Sequence, residues 1–180
     1  AIPIKQFSRK KNLLFEKYYS LNKKNKVEEI FKKALYNDVL LIQKFKIFKN
    51  LKFIEFPKLG LDELKKIIKK ISRLEGGLLL IDYGYLKPKN ENTLQSLIKH
   101  KKNNLLDNLG KADITSLVNF NLLSEYFIKN DLKVKKVVTQ KEQSNLYLRL
   151  KRLLDTKLMG NLFKVIFTYK SKKDNFLGFK

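Results

Sequence analysis

The chain has 180 residues and a mass of 21.3 kDa, with 40 Lys and Arg against 17 Asp and Glu and a formal net charge of +23. Hydrophobic residues make up 43% and aromatic residues 12%, enough to bury a core, so disorder along the whole chain is excluded. Cysteine is absent and His100 is the single histidine, which removes disulfides, thiolate chemistry and Cys- or His-rich zinc sites.

Residues 1–8, AIPIKQFS, read as a short strand entering a polar turn, and KNLLFEKYYSLN (11–22) shows strand-like alternation in places. Residues 26–50 are ambiguous, and VEEIFKKAL fits one or two helical turns. LKFIEFP (51–57) reads as extended, with Pro57 ending it. From Leu61 the apolar positions Leu61, Leu64, Ile67, Ile68, Ile71 and Leu74 make one helical stripe. Asp62 and Glu63 at its start and Lys69, Lys70 and Arg73 near its end complement the helix dipole, and Gly76-Gly77 is expected to stop it.

LLLID (78–82) follows, a continuous apolar run that suits a strand covered on both faces. Helix, glycine stop, buried strand and an acidic residue at the carboxyl end make an α/β unit, and in open α/β sheets ligands bind at that end. Residues 82–115 read as one long irregular loop, of the kind that is functional or disordered. Asn121 is placed to cap a helix with a Leu122, Leu123, Tyr126 and Phe127 stripe. Residues 133–139 read as a strand, 143–158 as a helix ended by Gly160, and 161–170 as a final strand.

Arginine stands only at positions 9, 73, 149 and 152, so 36 of the basic residues are lysines, spread along the whole chain. A basic face for phosphate or an acidic partner is one reading. The other, favoured here, is a solvated lysine-rich surface, because phosphate and base recognition leans on arginine forks. A nucleic acid is therefore not expected as a partner. No run of about eighteen apolar residues occurs, so no spanning helix is expected. The chain begins with Ala and shows no signal peptide, which gives a cytoplasmic expectation and suggests a piece of a longer polypeptide.

Several linked stretches, GGLLLIDYGY (76–85), NTLQSLIKH (92–100), GKADITSLVNF (110–120), VVTQKE (137–142), MGNLFKVI (159–166) and the ending DNFLGFK, stand in this order. AIPIKQF at the start looks like the tail of an Asn-Glu…Asp-Ala-x-Pro segment. In this the chain resembles, over nearly its whole length, the MidA-like (mitochondrial complex I assembly factor type) S-adenosylmethionine-dependent methyltransferases. The resemblance implies a class I, Rossmann-like α/β sheet ordered 3-2-1-4-5-7-6, of which this chain would supply strands 4-5-7-6. Residues 1–8 would end strand four, 9–57 would be a family-specific insertion, and 58–180 the carboxyl-terminal part of the domain. The glycine-rich turn and the acidic residue that bind the cofactor in the family have no counterpart here. No G-x-G occurs, so the S-adenosylmethionine site is expected to be incomplete.

The mitochondrial members methylate an arginine on a complex I subunit during assembly, in the mitochondrial matrix. The implied partners are thus a protein substrate, in relatives a respiratory complex I subunit, and the amino-terminal half of the same domain. The implied catalytic residues are Asp82 and His100. The implied substrate-side residues are Glu55, Tyr83, Gly84, Tyr85, Gln95, Asp113, Thr115 and Asn119, and the cofactor-side ones Ala1 and Pro3. Each has an ordinary reading beside the functional one. Asp82 can tie down the loop after its strand while Gly84 supplies a turn. His100 can be a hydrogen-bonded structural residue. Asp113 and Thr115 can make an Asx turn, and Glu55 can be a surface carboxylate. The chain also departs from the family pattern: Asn104-Leu105 replaces Asp-Pro, Leu109 replaces Pro, and Leu117 stands where His is frequent. A non-enzymatic basic module for RNA or acidic protein, or an inactive incomplete chain, is the alternative.

Overall fold

A computed structural model describes residues 2–87, 89–99, 101–139 and 162–171. In chain order they form β1 (Lys5–Lys10), β2 (Leu13–Leu21), β3 (Val27–Lys33), α1 (Tyr36–Gln43), a 3-10 turn at Lys46–Phe48, β4 (Phe53–Phe56), α2 (Lys58–Leu74) and β5 (Gly77–Tyr85). Then follow β6 (Gln95–Ile98), β7 (Lys101–Asn103), β8 (Asp113–Thr115), β9 (Val118–Asn119), α3 (Phe120–Lys129), β10 (Lys133–Thr139) and β11 (Phe163–Tyr169). The expected 143–158 helix and the Gly160 stop lie outside the described residues. Two compact units emerge, one of Ala1–Asp62 with Pro88–Leu117 and one of Glu63–Lys87 with Val118–Lys180. The division between the units falls inside α2.

The first unit holds an antiparallel sheet ordered β3-β2-β1-β4 and a small sheet ordered β7-β6-β8. Residues 5–8, expected at the end of a parallel strand beside 78–82, instead pair antiparallel with β4 on one edge (Lys5↔Phe56 to Ser8↔Phe53) and with β2 on the other. The tight turn at Lys11-Asn12, with Lys11 at φ 54°, folds the chain straight back and fixes that register. VEEIFKK is β3, not a helical turn: seven pairs with β2, from Phe15↔Lys33 to Leu21↔Val27, override its helix-like spacing. Phe7, Ile42, Ile54, Phe48 and Phe56 are buried. Phe45, Phe48 and Phe56 meet with ring centroids 6.0–6.1 Å apart, Phe48 edge-on to both others and Phe45 tilted against Phe56. The supposed irregular loop 82–115 contains β6, β7 and β8, because Ser96 is buried between pairings to both neighbours.

The second unit holds a mixed sheet ordered β10-β11-β5-β9. β11 runs antiparallel to β10 and to β5, and β9 joins β5 in parallel at Gly84↔Val118 and Tyr85↔Asn119. Phe120, Leu122, Leu123 and Phe127 of α3 are buried, as are Val165, Ile166 and Thr168 of β11. Three sequence expectations change here. The left-handed residue that ends α2 is Glu75, at φ 52°, with the Gly76 N–H returning to the Ile71 carbonyl at 3.3 Å. Gly77 already lies in β5, where a Cβ would sit about 2.9 Å from the Phe167 ring. Asn119, not Asn121, caps α3, its Oδ1 accepting the Leu122 N–H at 3.0 Å. β5 is not covered on both faces: Leu79 and Ile81 are 48% and 52% exposed. Among the described residues only β11 pairs with Gly77–Tyr83, leaving the other edge of that stretch open.

Candidate functional site

The structure sorts the expected site residues into two groups, one in each unit. In the first unit Glu55 of β4 is buried and both its oxygens are engaged. Oε1 accepts from Gln6 Nε2 at 2.9 Å and from the Thr93 N–H at 3.0 Å, and Oε2 accepts the Thr93 hydroxyl at 2.5 Å. Gln6 Nε2 also donates to Asn92 Oδ1 at 2.7 Å, and the Leu117 N–H donates to Thr93 Oγ1 at 3.0 Å. Glu55 thus works as a knot, drawing the start of the 92–117 segment onto the antiparallel sheet. Gln95 and Thr115 face each other across β6 and β8, with Gln95 Nε2 donating to Thr115 Oγ1 at 3.2 Å. Asp113 stands exposed in β8 opposite Leu97, in a strand rather than an Asx turn.

A cleft of about 590 Å³ opens beside this network, lined by Ile2, Pro3, Ile4, Lys5, Gln6, Glu16, Lys17, Tyr18, Tyr19, Leu94, Ile114, Thr115 and Ser116. Pro3 and Thr115 are the two expected residues in its wall. Ala1 and His100 lie outside the described residues.

The cleft borders an ion network that no spacing in the sequence indicates. Asp38 in the first turn of α1 is fully buried and receives Lys5 Nζ at 2.7 Å and Lys58 Nζ at 2.9 Å. Lys5 also reaches Glu16 at 2.9 Å, and the Tyr18 hydroxyl donates to Glu16 Oε2 at 2.7 Å. Burial disfavours the Asp38 carboxylate, but the hydrogen bonds from Lys5 and Lys58 outweigh it and hold the pKa below the usual value. Burial likewise works against the Lys5 ammonium, and its bonds to Asp38 and Glu16 outweigh it and raise the pKa. The hydrogen bond to Glu16, ahead of burial, raises the Tyr18 phenol. The five groups come from β1, β2, α1 and the start of α2. The one hint was an acid embedded in the apolar stretch YNDVLLI.

In the second unit Asp82 is exposed on β5, and its Oδ1 accepts the Tyr83 N–H at 2.7 Å. Tyr83 is 37% exposed and its ring lies 4.0 Å from that of Phe163. Gly84 is where β9 presses closest: a Cβ there would run into the Val118 carbonyl and the Phe120 ring. Tyr85 pairs with Asn119, whose side-chain oxygen is spent on the α3 N-terminus.

S-adenosylmethionine needs backbone N–H groups at a glycine-rich turn entering a helix and a carboxylate for its ribose. The described residues do not fit it. α2 follows Pro57 and α3 follows Asn119, with no glycine turn at either start. Glu16, the carboxylate in the cleft wall, already holds Lys5 and Tyr18. Among the described residues no group of three or more His, Asp or Glu is arranged to hold a metal, and no helix is long and apolar enough to cross a membrane.

Residues 1–138 match the profile of a family described as "Putative S-adenosyl-L-methionine-dependent methyltransferase". The chain belongs to this methyltransferase family, whose methyl donor is S-adenosylmethionine. Two solved structures from Burkholderia thailandensis share the fold. One is an uncharacterized protein of the COG1565 superfamily, with a TM-score of 0.78 at 15% identity, covering 98% of this chain and 54% of that one. The other is a COG1565 superfamily member and "likely methyl transferase" bound to S-adenosyl-homocysteine, with a TM-score of 0.77 at 16% identity, covering 98% and 52%. The chain therefore spans about half the length of the solved structures it matches. No curated protein matches it.

Proposed function

We propose that this chain is the carboxyl-terminal half of a MidA-like methyltransferase that modifies an arginine side chain of a protein, a respiratory complex I subunit being the acceptor suggested by the resemblance. The observation that carries this reading is the coverage: 98% of the chain superposes on only 52–54% of each longer relative. The open edge of β5 and the missing glycine turn support it, since both call for further polypeptide. On this reading the order is that of a class I sheet, with a partner strand along Gly77–Tyr83 and the methyl donor held mainly by the other half.

The roles assigned to this chain's residues are those that the family resemblance suggests. Asp82 has Oδ1 on its own backbone and Oδ2 left for a substrate guanidinium at the carboxyl end of β5. Tyr83 and Tyr85 would wall the acceptor side, with Gly84 admitting β9 beneath them. His100 is the candidate for proton transfer. Glu55, Gln95, Asp113 and Thr115 would shape the substrate loop, Asn119 would hold the start of α3, and Ala1 and Pro3 would border the donor. The cytoplasm is the expected compartment.

The reading is tested with the chain joined to the segment that the Burkholderia proteins have in addition. That chimera, isotope-labelled S-adenosylmethionine and a cell extract are expected to give label that acid hydrolysis releases as methylarginine. Asp82→Asn should abolish it while leaving the circular dichroism unchanged. Label found on lysine or on nucleic acid, or undiminished transfer by Asp82→Asn, would overturn the acceptor and the role of Asp82.

A further inference from the structure

We infer that the outer edge of β3 is a docking strip for an extended acidic peptide, separate from methyl transfer. β3 is the terminal strand of its sheet and pairs only with β2 among the described residues. It is seven residues long, about 23 Å, with no proline, so it presents a row of backbone N–H and C=O groups of the kind a peptide strand completes. Six of its seven residues are exposed.

Lysine on an edge strand ordinarily discourages pairing, and two features here point the other way. First, apolar side chains share one face with Lys10 and Lys33. Val27, Phe31, Leu13 and Leu21 are 38%, 43%, 50% and 65% exposed, and the register puts all four on the same side. An edge kept merely soluble has no use for them. Second, the positive charge is left over. Residues 10–33 carry eight lysines against three glutamates, and Lys17 takes Glu29 while Glu16 takes Lys5. Lys10 lies 5.8 Å and 6.0 Å from the Phe15 and Phe31 ring centres, and Lys32 lies 5.5 Å from that of Tyr18. Aromatic faces hold these ammonium groups without neutralising them.

The complementary ligand is an extended strand with carboxylates at alternate positions and small apolar residues between. Its backbone would pair with β3, and its acids, all on one face of the strand, would meet Lys10 and Lys33. The strip carries no arginine fork, which disfavours a phosphate backbone as the occupant.

The test uses the full chain and a fluorescent peptide as long as β3, of alternating Glu and Val, read by anisotropy. Binding is expected at low salt and should weaken as salt rises. The double substitution K32E/K33E, on exposed positions, should weaken it by about ten-fold or more with an unchanged circular dichroism spectrum. The same peptide N-methylated at alternate residues should fail to bind, because it cannot complete the edge. Three results would overturn the inference: no binding at low salt, equal binding of the N-methylated peptide, or tighter binding of an oligouridylate than of the peptide.

Discussion

Among the described residues, two strands, β3 and β5, each run beside an open edge, and their side chains treat water in opposite ways. β3 is dressed in Glu28, Glu29, Lys32 and Lys33, with its apolar residues scattered among them. β5 shows Leu79, Ile81 and Tyr83 in sequence along Gly77–Tyr83, with charge only at Asp82. A charged edge persists in water and accepts a partner selectively, whereas an apolar one calls for permanent cover. The interiors differ in the same sense. The first unit adds buried ions and a carboxylate knot at Glu55 to its phenylalanine core, whereas the second is held by apolar packing and one close backbone approach at Gly84.

The strongest way to break that contrast is to remove the charge at the centre of the first unit. Asp38→Asn strands Lys58 and leaves Lys5 with Glu16 alone, and is expected to cost about 2–3 kcal/mol in urea unfolding, the low end because both lysines keep some contact with water. The pH dependence has a definite sign. The Asp38 pKa is lowered on folding, so its contribution is present at neutral pH and disappears as pH falls below about 4. The Lys5 pKa is raised, so its contribution holds up to the usual lysine range, near pH 10.5, and disappears above it. Asp38→Asn should therefore flatten the acid limb of the stability profile. A wild-type slope retained in the variant would assign acid unfolding to other carboxylates.

A smaller effect is expected at the close approach in the second unit. Gly84→Ala drives a methyl into the Val118 carbonyl and the Phe120 ring, at about 2 kcal/mol, and should speed hydrogen exchange at β9 and the first turn of α3. Asn119→Ala removes one cap bond and should cost about 1 kcal/mol. Smallest of all, Leu79→Ser with Ile81→Thr should change the stability of the 180-residue chain by no more than about 0.5 kcal/mol per site. In the longer chimera the same pair should lower the melting temperature measurably. Equal effects in both would mean that nothing covers β5.

Much of the architecture was legible from pattern alone. The α2 stripe, the β5 run and the strands at 133–139 and 163–169 stand where apolar spacing places them, because their local preference and their packing agree. Misreadings fell where pairing outweighs spacing. Val27, Ile30 and Phe31 mimic a helix stripe yet serve a strand held by β2. Residues 95–115 look irregular because their strands are only three or four residues long. Asn121 sits two places after the true cap because the β9 pairing brings Asn119 into position. Of the residues that the resemblance implies for the site, Pro3 and Thr115 line the cleft. Lys5, Glu16, Asp38 and Lys58 were not anticipated, since four charges from four separate elements leave no common interval in the sequence.

If the methyl donor is cradled chiefly by polypeptide other than these residues, titration calorimetry with S-adenosylmethionine reads it directly. The 180-residue chain alone is expected to give no binding heat, and the chimera carrying the relatives' additional segment to bind with one-to-one stoichiometry. Micromolar binding by the 180-residue chain alone would contradict it.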